Sequence, residues 1–301
     1  MDEPLDQPSG VPGESPQGKT GVQLPLWPQE SAAPDSTSEA IHGETLADEP
    51  VPGETTGQAV PWSLRDLGGF VLFAVLSFLL ANVAALTVFI WLRDTLLWET
   101  TVEEVFHKTS FVVSMQIVWE VLWFLFIYFT VTRKYRQTFL LAIRWAWGPA
   151  GRLHYLLAGA GLALGAQMLF SVFPSEKQLP IERLFSSAES AYLLAVFGIC
   201  VAPFAEELVF RGFFYPVFER LWGFVAAVVI TALLFAFVHM PQLSGGWLEI
   251  LAIFGVGLAF SYCRGKTGSL VPPYLMHLAY NASLFVWLYI ATDRFRSLGN
   301  L

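Results

Sequence analysis

Two adjacent carboxylates, Glu206 and Glu207, stand near the middle of an apolar run, and Arg211 follows four residues after the second. A carboxylate at mid-membrane depth costs on the order of 3 kcal/mol on insertion scales, so a pair of them needs a reason. On a helix Glu207 and Arg211 share a face and can form an ion pair. Glu206 is rotated about 100° away and is left to face something else. Two later apolar runs offer partners: Phe235-Ala-Phe-Val-His239 closes one, and His277-Leu-Ala-Tyr-Asn281 lies inside another, with His277 and Asn281 on one helical face. A turn near Leu221 to Gly223 separates Glu206 from His239. Counted from that turn, the two lie about 15 and about 17 residues away, so antiparallel packing at 1.5 Å per residue puts both roughly 23 to 26 Å along.

A carboxylate beside an imidazole in a water-filled membrane cavity can hold a water and take its proton, making a nucleophile for an amide carbonyl. A second imidazole and a carboxamide can donate hydrogen bonds to the oxyanion that forms. The alternative chemistry is a zinc site in which Glu206, His239 and His277 are ligands, the metal acidifying its water and polarising the carbonyl. The H-E-x-x-H pattern of soluble zinc proteases is absent, and the residues alone leave both chemistries open.

Taken in order on successive apolar runs, Glu206-Glu207-x-x-x-Arg211, Phe235-x-x-x-His239 and His277-x-x-x-Asn281, with Phe210-Arg211-Gly212 in place, resemble the three motifs of the CPBP (Abi) intramembrane protease family. That family includes the type II CAAX prenyl proteases. The resemblance covers residues 190 to 292 and implies an all-helical membrane fold around a polar cavity. It also implies roles: Glu206 as the base that activates water, His239 helping to hold it, and Glu207 with Arg211 shaping the site. His277 and Asn281 would stabilise the oxyanion or, in a metal form, contribute a ligand. The implied activity is endopeptidase cleavage of a membrane-associated peptide or protein. Two other functions compete: a non-catalytic immunity or scaffold protein that keeps the polar cluster for packing, and a proton-coupled transporter, which the lack of internal repeats disfavours.

The elements that must carry these residues are apolar runs of about 20 residues, the length that crosses a hydrocarbon core about 30 Å thick. There are about seven (range six to eight): 67 to 92, 111 to 132, 153 to 173, 191 to 220, 222 to 240, 247 to 263 and 270 to 291. The expected fold is an all-α polytopic transmembrane bundle. A chain that is 54% hydrophobic and only 14% charged fits the bilayer as solvent. The net charge of −8 is unevenly placed. Residues 1 to 63 hold eleven of 25 carboxylates and one of 17 basic side chains, a balance of −10, which leaves +2 for the rest. No basic patch suggests a nucleic-acid partner.

Residues 1–62 contain ten of the 18 prolines and no apolar periodicity, which predicts a disordered acidic tail; its Leu24-Pro25-Leu26-Trp27-Pro28 island is a candidate docking motif for an unknown partner. Segment 63–189 is then an N-terminal set of membrane helices, 190–292 the protease-like core, and 293–301 a short C-terminal tail. Arg133, Lys134, Arg136, Arg144 and Arg152 cluster after the second run, which predicts a cytoplasmic N-terminus in a plasma-membrane protein. Between them, Phe139 to Trp147 is too short to span and suits the interface. Gly159, Gly161 and Gly165 predict close helix packing through small residues, and Cys200 and Cys263 read as small core residues. His42, His107 and His154 read as solvated or interfacial.

Overall fold

The computed structural model describes residues 60–96, 99, 101–147, 151–174 and 179–298. The acidic tail up to residue 59, with its docking island and His42, lies outside the described residues. Those residues form helices and no strands, as expected where the surrounding lipid offers the backbone no hydrogen-bond partner. In chain order the helices are α1 (Leu64–Leu96), α2 (Val102–His107), α3 (Thr109–Phe129), α4 (Phe139–Ala142), α5 (Arg152–Val172), α6 (Ala188–Val196), α7 (Ala202–Glu207), α8 (Tyr215–His239), α9 (Trp247–Thr267) and α10 (Val271–Ala291). Among the described residues six helical stretches are long and apolar enough to cross a membrane, and the chain is a multi-pass membrane protein.

The fourth stretch, Ala188–His239, has 52 residues. Run straight, it would extend about 78 Å, far beyond one bilayer. It turns instead at Gly223, whose φ of 79° and ψ of 175° suit a residue without Cβ. The two arms lie against each other: the rings of Phe210 and Phe235 are 5.3 Å apart, and the Arg211 guanidinium sits 4.5 Å from the Phe235 ring. Arms 188–222 and 224–239 thus account for two of the seven apolar runs.

The arm 188–222 alternates α-helix with two wider π-helical turns, Phe197–Val201 and Leu208–Phe214. Prolines explain what these turns leave open. Ala202 N–H donates to the carbonyl of Phe197, so in that register the Gly198 carbonyl would need an N–H from residue 203, which is proline. Likewise Tyr215 N–H donates to Phe210, and the Arg211 carbonyl would need Pro216. Side chains take both carbonyls: Asn281 Nδ2 donates to Gly198 at 2.7 Å, and Arg264 Nε to Arg211 at 3.0 Å.

Packing around this arm fixes its position. Trp62, which composition assigns to the end of the tail, is fully buried: its indole donates to the Phe213 carbonyl at 2.8 Å and stacks on the Phe213 ring. Arg220 donates to the carbonyls of Val60 and Trp62. On the other side α5 meets α10 at Gly159, where an added Cβ would fall 2.1 Å from the Met276 carbonyl. Ala163 and Ala166 continue that buried face. Gly161 and Gly165, by contrast, face outward with open space around them, so the small-residue seam is offset from the Gly161-x-x-x-Gly165 pattern. Cys263 is buried but Cys200 is exposed on the bundle surface, correcting its reading as a core residue. The 139–147 segment does more than sit at an interface: Ile143 is buried, Trp145 packs on Phe204 and Tyr274, and the Arg144 carbonyl accepts from Leu270 N–H.

Candidate active site

Glu207 and Arg211 are both fully buried and form the ion pair that their spacing predicts, Nη1 to Oε1 at 3.0 Å. The arginine's other donors are also engaged, Nε by Ser261 Oγ at 3.2 Å and Nη2 by the Gly257 carbonyl at 3.1 Å. Phe235 and Phe260 flank the guanidinium. The motif residue Phe235 is therefore a platform for Arg211 as well as a neighbour of His239, 4.6 Å between ring centres. Arg211 has no freedom to reach into a cavity. It braces Glu207 instead.

Glu207 Oε1 holds a second partner, His277 Nδ1 at 3.0 Å. That contact fixes the ring so that Nε2 faces Glu206 Oε2, 3.6 Å away. His239 is fixed in the same manner by a different group: its Nδ1 lies 2.7 Å from the Phe235 carbonyl and so carries the proton, and its Nε2 faces Glu206 Oε1 at 3.9 Å. Glu206, with a fifth of its side chain exposed, thus stands between two imidazoles whose far nitrogens are already committed. Both gaps are too long for a direct hydrogen bond and short enough for one water to lie within about 2.8 Å of a carboxylate oxygen and a ring nitrogen. Asn281, one turn beyond His277, spends one amide hydrogen on Gly198 and keeps the other.

Glu206, His239, His277 and Asn281 line one cavity of about 310 Å³. Its volume lies within the range of ligand sites. The structure brings together all six predicted site residues, four on the cavity wall and the Glu207–Arg211 pair behind it. His107 and His154 lie apart and are exposed. As to a metal, imidazoles with the far nitrogen tied have the chemistry of metal ligands. Their arrangement does not match: among the described residues no group of three or more His, Cys, Asp and Glu side chains has the geometry to hold an ion.

The same cavity has a wall that sequence reading passed over. Gln116 and Glu120 of α3 line it, and Gln116 Nε2 donates to Glu120 Oε1 at 3.2 Å. The signal was present, since Glu120 is the lone carboxylate inside its apolar run and such groups in membrane helices are rarely idle. Ser261 and Gly257 carried no comparable signal.

Comparison with known proteins gives a family match for part of the chain. Residues 188–283 match the family of type II CAAX prenyl endopeptidase Rce1-like proteins. This stretch contains all three motifs, and the family is the one that they resemble. An uncharacterized 24.3 kDa protein of Escherichia coli is 32% identical over 124 residues, 40% of this chain and 52% of that protein. The chain thus spans about half the length of this curated relative. No solved structure matches it.

Proposed function

We propose that this chain, whose residues 188–283 carry an Rce1-like type II CAAX endopeptidase core, is an intramembrane endopeptidase that uses a water activated by Glu206. The observation that carries the reading is the convergence of the Nε2 atoms of His239 and His277 on the two oxygens of one partly exposed carboxylate. A water in that gap donates one hydrogen to Glu206 and the other to His239 Nε2, which aims its lone pair at a carbonyl lying in the cavity. As the oxygen bonds to the carbonyl carbon, its proton passes to Glu206. The uncommitted N–H of Asn281 faces the oxyanion, and so does His277, which with its Nδ1–H given to Glu207 donates from Nε2 in its doubly protonated form. Glu206 then returns the proton to the leaving nitrogen, the C–N bond breaks, and the carboxylate is regenerated.

The division of labour follows from burial. Glu207 and Arg211 are sealed from the cavity and act by orienting His277. The substrate class is a peptide or membrane-protein segment that enters from the bilayer, and CAAX-type sequences are its first candidates. The basic cluster from Arg133 to Arg152 supports a cytoplasmic N-terminus. The test is hydrolysis by protein in lipid nanodiscs of internally quenched peptides ending in C-A-A-X, farnesylated and unmodified, with the products identified by mass spectrometry. Cleavage at one bond supports the reading. Intact peptides of both kinds with correctly folded protein would support the scaffold alternative.

A further inference from the structure

Glu120 is only 4% exposed, and its second carboxylate oxygen, Oε2, has no hydrogen-bond partner among the described residues. A buried carboxyl oxygen with nothing to accept from is uncommon and calls for a donor. Glu120 lines the same cavity as Glu206, on a helix that carries none of the three motifs. One turn earlier, Gln116 also lines the cavity and points its amide nitrogen at Glu120 Oε1, which leaves its own carbonyl oxygen uncommitted. The wall formed by α3 therefore holds two oxygens without a partner, spaced i and i+4 with Cβ atoms about 5–6 Å apart, Glu120 Oε2 being just covered at the cavity surface. The motif residues are engaged with the water and the oxyanion, which leaves the oxygens of α3 for a peptide backbone.

An extended peptide has the complementary pattern. Its N–H groups on one edge recur every second residue, about 6.6 Å apart. The residue whose carbonyl is attacked turns its C=O to one edge, and the residues before and after it turn their N–H groups to the other. If the first edge meets Glu206, the second offers α3 the N–H of the scissile amide and the N–H two residues earlier. We infer that Gln116 and Glu120 form a backbone clamp, in which Glu120 Oε2 and the Gln116 carbonyl oxygen accept these two N–H groups and hold the substrate extended across the water. The inference rests on the peptidase reading and names how that site takes its substrate without reference to side-chain sequence.

The test uses the full chain in nanodiscs. Protein with native Glu206 first cleaves a quenched C-A-A-X peptide and so defines the scissile bond. Binding is then measured on Glu206→Gln protein with peptides in which single amides are replaced by esters, each removing one N–H. Esters at the scissile amide and two residues earlier should each weaken binding about tenfold, the loss of one hydrogen bond, and esters elsewhere should not. Adding Glu120→Leu should abolish one of these penalties and Gln116→Leu the other. A merely structural role would leave the pattern of penalties in place. Should Glu120→Leu fail to fold, the isosteric Glu120→Gln, which offers an N–H or a single carbonyl where two acceptor oxygens stood, and Gln116→Leu carry the test. If the peptide is cleaved but its ester penalties persist in both variants, the clamp is wrong and the peptidase reading stands. If no peptide is cleaved, the peptidase reading fails and the clamp falls with it.

Discussion

Removing Glu207 should damage folding far more than removing Glu206, although the two residues are adjacent and chemically identical. The difference lies in what each leaves behind. Arg211 is fully buried, and among the described residues Glu207 is the carboxylate that pairs with it directly; Ser261, Gly257 and Phe235 remain around it but carry no opposing charge. Glu207→Ala therefore strands a cation in a low-dielectric interior and also strips His277 Nδ1 of its acceptor. Breaking a buried pair in this way costs about 3–5 kcal/mol. For a folded unit of about 240 residues each kcal/mol lowers the melting temperature by about 2–4 °C, so the loss should be about 6–20 °C. Glu206→Ala removes a partly exposed group that makes no direct hydrogen bond and should melt within a few degrees of the native protein. Intrinsic fluorescence in detergent is well suited to the measurement, with 11 tryptophans in the chain. The double variant Glu207→Leu/Arg211→Met, which removes both charges together, should recover more than half of the loss. Equal melting of Glu206→Ala and Glu207→Ala would refute the assignment of bracing to one residue and chemistry to the other.

Asn281→Ala should lower turnover about 10²- to 10³-fold with near-normal substrate binding, because it removes an oxyanion donor that does not hold the bound substrate, and should also lower the melting temperature by leaving the Gly198 carbonyl without its donor; a pure loss of binding would contradict that role. Gly159→Ala should destabilise by about 1–3 kcal/mol in thermal melts, since its Cβ would strike the Met276 backbone, whereas Gly161→Ala, in open space, should be neutral or slightly stabilising; the opposite order would mean that the α5–α10 seam is misplaced. Active protein should hold no stoichiometric zinc and should keep its rate in chelators. Stoichiometric zinc lost from both His239→Ala and His277→Ala would instead favour the metal chemistry.

The meeting of Glu206 with His239 was legible because both sit on a hairpin whose turn is marked by glycine, and helical rise converts residue counts into depth. Glu207 with Arg211 was legible because their spacing lies within one helix. The bond from His277 to Glu207 was not, since it depends on the rotation of α10 against α7, which no local pattern encodes. The same limit explains the seam of α5: three glycines mark a helix for close packing, but only the neighbour decides that Gly159 is used and Gly161 is not. Cys200 shows the weakness of reading burial from apolar surroundings in a membrane protein, where lipid satisfies an apolar face as well as protein does. Trp62 was assigned to the tail by its proline-rich neighbours, yet one indole hydrogen bond and one ring stack carry it into the core. Glu120 was legible in principle and was passed over for want of a motif around it. The two prolines within the arm 188–222, Pro203 and Pro216, are visible at once, but not that each would release a carbonyl for a specific side chain.

The most direct test of the central claim is the turnover of Glu206→Gln in nanodiscs, measured on whichever quenched peptide the native protein cleaves, with a melting curve recorded on the same sample. Gln keeps the shape and loses the base. The account predicts a folded protein, melting close to the native temperature, whose rate falls by about 10²- to 10⁴-fold. A folded Glu206→Gln protein that cleaves at the native rate would contradict it.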